Sequence, residues 1–490
     1  MKSFLVIPPQ DQRIIQQVSG FASEKRITLY IVGGYLRDLL LKRSRQHPDI
    51  DFCLPRGALA FGKALARIMR AGYVVLDQEH GACRVVKKTN HAVYTLDFTD
   101  FRGKDLDEDL KHRDFTINTL ALKVTDACKM KVDSALLYDP HGARGDLRAK
   151  ILKAAHRNSF VEDPLRILRA FSFACMLGFT IHPSTVRLLK VSLKKLPTVS
   201  WERIRDELFK ILDTPLAAKC LIELDALRVL KLLFPETECM RGKKQGPYHH
   251  LDIWKHSLET VKQLEGVLQE QSKNPFLKEY VNFALSSERK RRALMKLGAL
   301  LHDIGKPKSM RRKAGKLTFY GHERFGWQIS EGIGRRLKLS NNELEALRKM
   351  IFWHLRPGYL ADHQVITPRA AFRFFRDTAD EALSVLMISL ADQRSTKGPK
   401  STRQDHQQHE RGVAWLFKEF FKRQKQQKSK RLVTGHDLMQ RFHLNPSPLI
   451  GSMLAEIEEL QAIGEIRTKQ EALLAAGRLS KQKEKKHGAH

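Results

Sequence analysis

The sequence predicts an α+β protein: a small mixed-sheet head, then an all-α neck and body, a further α-helical domain and a short helical tail. Three observations lead there. Residues 28–150 alternate short β-rich runs with helical stretches. After Asp163-Pro164, apolar residues recur three and four positions apart, the period of a helix with one buried face. With 490 residues the chain exceeds one ordinary core, so two or more domains are expected.

Taken in order, Ile27-Thr28-Leu29-Tyr30-Ile31-Val32 is a strand that ends at Gly33-Gly34, and Tyr35 to Leu40 continues as a helix. Asp49-Ile50-Asp51-Phe52-Cys53-Leu54 is a second strand, stopped by Pro55, and Tyr94-Thr95-Leu96-Asp97-Phe98 is another. Ile167, Leu168, Phe171, Phe173 and Ala174 then open the helical body. Boundaries are expected near residue 150, at the Gly/Lys-rich 241–246 and across the polar stretch 395–408, which reads as a linker. They give a head over 1–150, a neck and body over 151–245, a second helical domain over 246–400, and a linker with a basic helical tail over 401–490. The basic runs 418–431 and 481–486 suit either solvated or disordered ends or RNA contact.

Composition narrows the function. Lys and Arg number 87 against 54 Asp and Glu, a formal charge of +33, which favours a polyanionic partner and, in particular, nucleic acid. No uncharged apolar run is long enough to cross a bilayer, so no membrane partner is expected. The apolar segment at the start is too short for a secretory signal, and six cysteines without CxxC spacing suit a reducing compartment. A cytoplasmic location is the expectation.

Two motifs in the head carry chemistry. Gly33-Gly34 closes a strand and opens a helix, where residues without side chains let phosphate approach backbone N–H groups. Taken alone, such a turn is more often structural. Asp49-x-Asp51 lies on a strand, and the two-residue period turns both carboxylates to one face, where they repel unless a cation such as Mg²⁺ lies between them. A lone pair of this kind is also found on solvated turns. Asp97 is either a third acid or an edge-strand charge.

Five segments occur together and in order: Gly33-Gly34-Tyr-Leu-Arg37-Asp38 with Asp49-Ile-Asp51; Arg113-Asp114-Phe-Thr-Ile-Asn118; Asp139-Pro-x-Gly142-x-x-x-Asp146-Leu147; Glu162-Asp163-Pro-Leu-Arg166; and Glu202-Arg203-Ile-Arg205-x-Glu207. In this the chain resembles the class II tRNA nucleotidyltransferase and poly(A) polymerase family. The resemblance implies a nucleotidyltransferase head and template-independent addition of nucleotides to an RNA 3′ end. The implied partners are tRNA, CTP and ATP. Asp49 and Asp51 would hold two Mg²⁺ ions, and Gly33, Gly34 and Arg37 would receive the triphosphate. By resemblance alone, Arg113, Asp114 and Asn118 would contact sugar and phosphates. His112 stands where the family often has Arg.

Asp163 before Pro164 is a natural helix start, and Arg166 three residues on shares its face. On structural grounds alone the two make a cap and a surface ion pair. In the family context they read as an amino-acid template. A carboxylate accepts from an exocyclic amino group while a guanidinium donates to a ring acceptor; C and A offer that order, U and G the reverse.

Farther along come His256, His302-Asp303 followed by Ile-Gly305-Lys306, His322, His354 and Asp392. Imidazoles and carboxylates from several helices can bind transition-metal or Mg²⁺ ions for phosphoester hydrolysis. The series resembles the HD superfamily of metal-dependent phosphohydrolases. That likeness implies one ion on His256, His302, Asp303 and Asp392, with His322 and His354 completing a second position. The alternative is a helical RNA-docking module whose histidines are satisfied in its core. Residues 434–466 resemble the helical tail that follows such domains, packing on the body or supporting tRNA.

The leading expectation is therefore CMP and/or AMP addition to tRNA with an HD module. A CC-only, A-only or poly(A)-adding enzyme shares the same head motifs. From another class, an HD phosphohydrolase with a non-catalytic RNA-binding head remains open, although Asp49 and Asp51 argue against it. A wholly non-catalytic RNA-binding protein leaves both constellations unexplained. The sequence leaves the oligomeric state open.

Overall fold

The computed structural model describes all residues except 1–3, 44–46, 91, 314–315, 364, 426–430 and 488–490. The chain forms two compact units, Met1–Ile211 and Leu212–His490.

In the first unit six strands pair in the order Gly72–Asp77, Ala82–Lys88, Val93–Asp100, Asp49–Leu54, Tyr30–Val32, Ala121–Lys123. Asp49–Leu54 and Val93–Asp100 run parallel, and the other neighbours are antiparallel, so the sheet is mixed as expected. The alternation of Ile50 and Phe52, and of Leu96 and Phe98, puts one apolar face under the helix Ala58–Met69. Phe52 stacks on Phe98 at 4.9 Å, and Phe61 meets Phe98 at 5.3 Å. The acids Asp49, Asp51 and Asp97 fall on the opposite face by the same alternation. Val93–Asp100 is central, which removes the edge-strand reading of Asp97. The helices Arg166–Leu177 and Pro183–Ser192 belong to this unit too.

Among its described residues the second unit is helical apart from the hairpins Ala284–Ser286 with Arg289–Lys290 and Arg311–Lys313 with Lys316–Thr318. Its centre is Ala382–Ser395, buried on nearly every side, packed among Ile253–Gln271, Arg291–Leu301 and Asn341–Trp353. The expected linker is largely structured. Arg403–Lys425 is a helix, and Gly398 N–H and Lys400 N–H donate to Tyr248 O and Pro247 O at 2.7 and 3.1 Å. A Cβ on Gly398 would come within 2.3 Å of the Tyr248 backbone, so glycine is what lets the two segments touch. The tail helices Gly435–Phe442 and Pro448–Ala462 enclose a small core of Leu438, Ile450, Met453 and Ile457. Arg373 Nε donates to the buried Glu459 at 2.8 Å, fixing this tail to the helix Pro368–Thr378. Residues 426–430 of the first basic run, and the side chains of the second, lie outside the described residues.

Candidate active site and candidate metal centre

Asp49 and Asp51 alternate with the buried Ile50 and Phe52, and the parallel register sets Asp97 beside Asp51. One carboxylate oxygen from each of the three lies within 4.8 Å of the others. Arg84 holds Asp97 in a two-pronged contact, Nε and Nη2 each at 2.8 Å. Three carboxylates this close repel one another, and hard oxygen donors in such a set suit a divalent cation.

Gly33 sits at φ +74°, and a Cβ there would lie 2.7 Å from Arg113 Nη1 and 3.3 Å from Asp51 Oδ2. Its missing side chain thus makes room for a guanidinium beside the acids. The Gly33 N–H donates to Leu120 O at 3.1 Å, so it is part of the sheet rather than a donor waiting for phosphate.

Arg37 and Asn118, expected near the triphosphate, belong to a buried polar chain. Arg37 donates through Nε to Asp38 and through Nη1 to Asn118 Oδ1, both at 2.8 Å. Asn118 Nδ2 then donates to Asp114 Oδ1 at 2.8 Å. Asp114 Oδ2 accepts from Arg169 Nε and Nη2 at 3.0 and 2.6 Å, and Arg169 reaches on to Glu207 at 3.6 Å. Burial opposes the charge on Asp114, yet Arg169 and Asn118 bring its pKa down to about 2. The face of Phe173 carries both guanidinium groups, Arg37 at 5.0 Å and Arg169 at 5.1 Å. Sequence reasoning missed Arg169; its one signal was a second Arg a helical turn beyond Arg166. Glu207 closes the segment Glu202-Arg203-Ile-Arg205-x-Glu207, whose spacing alone assigns it no role.

Asp163 and Arg166 are not paired with each other. Asp163 Oδ1 accepts from Leu165 N–H at 3.1 Å, opening the turn before the helix Arg166–Leu177, while Oδ2 binds Arg203 at 2.8 Å. Arg166 is buried; its Nη2 donates to His112 O at 2.6 Å and its Nη1 to Ser159 Oγ at 2.9 Å. The expected surface ion pair is therefore replaced by two separate anchors.

In the helical unit the six expected residues converge. His256 Nε2 lies 2.8 Å from Asp392 Oδ1 and 3.7 Å from Asp303 Oδ2, and His302 Nε2 lies 3.6 and 3.2 Å from the same two oxygens. On the other side of the Asp303 carboxylate, Oδ1 is 3.4 Å from His322 Nε2 and 3.8 Å from His354 Nε2. Each of three rings is aimed by its Nδ1 against a carbonyl three residues back: His302 on Ala299 O, His322 on Phe319 O, His354 on Ile351 O, at 2.8, 2.9 and 2.7 Å. Nε2 then faces inward, the usual orientation of a metal-ligating imidazole. His302 Nε2 and Asp303 Oδ1 are buried and have no hydrogen-bond partner, which fits donors meant for a cation.

Burial opposes charge here as well, but His302 and Lys306 hold Asp303 well below the usual carboxylate range. Burial likewise works against His302, whose neighbours Asp303 and Asp392 nonetheless raise its pKa to about 10. Burial and then His302 push His354 down to about 3. Lys306, noted in the sequence only as part of a motif, reaches Asp303 at 2.6 Å and donates to Gln245 Oε1 at 2.7 Å.

Among known proteins, the family model for the poly A polymerase head domain matches residues 29–153, and that for a probable RNA and SrmB-binding site of polymerase A matches 178–240. The HD domain model matches 253–397, and tRNA nucleotidyltransferase domain 2 matches 335–476. An A-adding tRNA nucleotidyltransferase of Deinococcus radiodurans is 31% identical over 454 residues, covering 90% of this chain and 93% of that protein. A CC-adding tRNA nucleotidyltransferase of Synechocystis is 28% identical over 452 residues, covering 92% and 93%. The solved structure of a CCA-adding enzyme with ATP shares the fold at TM-score 0.64 and 22% identity, covering 96% of this chain and 98% of that one. The Thermotoga maritima CCA-adding enzyme complexed with tRNA does so at TM-score 0.61 and 22% identity, covering 97% and 99%. The similarity to such relatives runs along nearly the whole length of both chains, and the chain belongs to the tRNA nucleotidyltransferase family.

Proposed function

We propose that this chain adds CMP, AMP or both to the 3′ end of tRNA without a nucleic-acid template, and that it carries a metal-dependent HD module. The observation that carries the reading is the cluster of Asp49, Asp51 and Asp97 beside the Gly33 turn. The residues to hold Mg²⁺ are Asp49 and Asp51, with Asp97 and its Arg84 clamp as the neighbouring acid. Mg²⁺ supplies charge neutralisation at the α-phosphate and leaving pyrophosphate. The task of the protein is then positioning the 3′ hydroxyl in line with that phosphate. Arg113, set into the space that Gly33 leaves, offers positive charge to the triphosphate. The chain Arg37, Asn118, Asp114 and Arg169 keeps that wall rigid from behind.

For base choice, Asp163 accepts from the amino group of C or A and Arg166 donates to the adjacent ring nitrogen. Both side chains have partners within the protein, Arg166 on His112 O and Asp163 on Arg203, and on this reading each exchanges such a partner for the base. In the HD module, His256, His302, Asp303 and Asp392 hold a divalent ion, and His322 and His354 share Asp303 toward a second. A divalent ion held by these residues would supply Lewis acidity for phosphoester hydrolysis. The orphaned His302 Nε2 and Asp303 Oδ1 favour this over a docking module with satisfied histidines.

The decisive test supplies each NTP separately to tRNAs lacking one, two or three terminal nucleotides. Incorporation of C, of A, or of both in sequence assigns the reaction; no incorporation on any substrate refutes it. A long A tail on every RNA identifies a poly(A)-adding enzyme instead.

A further inference from the structure

We propose that His112, His156 and Glu162 form a binding site for a divalent transition-metal ion of the zinc class, separate from the carboxylate cluster and from the histidine–aspartate cluster. Glu162 Oε2 lies 3.4 Å from His112 Nδ1 and 3.2 Å from His156 Nε2. One ligand atom from each residue falls within 4.8 Å of the other two. Bonds of about 2.0–2.2 Å at tetrahedral angles leave donors roughly 3.3–3.6 Å apart, so the His112–Glu162 spacing already suits such an ion and the His156–Glu162 spacing falls just short of it. Two imidazoles and a carboxylate are also a recurring zinc donor set.

His156 Nε2 is buried and makes no hydrogen bond, so its approach to Glu162 is not an aligned N–H···O contact. Ligation through Nε2 puts the ring proton on Nδ1 and gives up only a long 3.3 Å contact from Asn158 N–H. Side-chain exposure of 40% at His112 and 35% at Glu162 lets an ion enter from solvent and keep a fourth, water-filled position. Arg166 Nη1 also approaches Glu162 Oε2, at 3.7 Å, but it is held by Ser159 Oγ at 2.9 Å and does not depend on that carboxylate. An ion on these three residues ties the turn carrying His112 and Arg113 to the helix Ser159–Glu162, the two segments that hold Arg166.

The test uses the full chain carrying Asp49→Asn and His302→Ala, which removes a ligand from the carboxylate cluster and the imidazole shared by both metal-capable groups of the histidine–aspartate cluster. Titration with Co²⁺ is expected to show one equivalent bound, with the visible absorption of a four-coordinate site carrying nitrogen ligands, and Zn²⁺ should displace it. Adding His156→Ala, or His112→Gln at the more exposed ligand, should remove that absorption and weaken Zn²⁺ competition by more than about tenfold. Circular dichroism checks that each variant is folded. Absence of the cobalt band in the starting chain, or its persistence in folded His156→Ala and His112→Gln, overturns the proposal.

Discussion

Gly33→Ala perturbs one atom position with a calculable result. The new Cβ would stand 2.7 Å from Arg113 Nη1 and 3.3 Å from Asp51 Oδ2, and the residue would have to keep φ at +74°. The left-handed backbone costs an L-residue about 1–2 kcal/mol, and overpacking at the guanidinium adds about 1–3 kcal/mol. Arg113 must retreat by several tenths of an ångström toward Asp109, which it meets at 3.4 Å, and Asp51 must give as well. A destabilisation of roughly 2–5 kcal/mol lowers the melting temperature by about 4–20 °C for a unit of this size. With Asp51 in the proposed Mg²⁺-holding role, displacing it and Arg113 lowers kcat/KM for nucleotide incorporation by about 10²-fold. Gly34→Ala is the matched control. Its Cβ would meet nothing closer than Arg37 Nη2 at 3.6 Å, an ordinary contact, so stability should hold or rise slightly. Thermal unfolding and primer extension measure both effects. A Gly33→Ala chain as stable and as active as Gly34→Ala would refute the reasoning.

Asp114 gives a pH prediction. Its folded pKa of about 2 lies below the ordinary carboxylate value, so its stabilisation is complete above about pH 4 and is lost as pH falls through 2. Acid unfolding should show a loss on the order of 2 kcal/mol across that window, and Asp114→Asn should flatten it. Asp49→Ala is expected to abolish nucleotide incorporation while leaving phosphodiesterase activity toward a chromogenic phosphodiester, with His302→Ala giving the reverse; one variant eliminating both would contradict two separate centres. Asp163→Ala should admit UTP and GTP more than it weakens Mg²⁺ dependence, and an unchanged preference among four NTPs would remove the template reading.

Part of the candidate site is legible in the sequence because it depends on local geometry. The two-residue period of a strand puts Asp49 and Asp51 on one face wherever that strand lies. The histidines of the helical unit are a similar case. His302 and His354 cap helix ends and His322 begins one, and each ring is aimed by a carbonyl three residues away. Such contacts belong to a few residues and recur in any fold that keeps the helix. By contrast, the separation of Asp163 from Arg166 was not legible. Their spacing allowed a pair, but Arg203 and the His112 carbonyl, both distant in sequence, outcompete it.

By itself the sequence determined the mixed head, the helical remainder, the paired acids and the ordered histidines, since periodicity and motif order are properties of neighbouring residues. Tertiary structure alone decided that Asp97 joins the acids, that Arg169 and Glu207 close a buried chain behind Asp114, and that Asp303 faces histidines on both of its oxygens. Strand register and helix packing set those meetings. Both follow from burying apolar faces such as Ile50 and Phe52 or the whole of Ala382–Ser395, and no local pattern records which distant polar group arrives opposite.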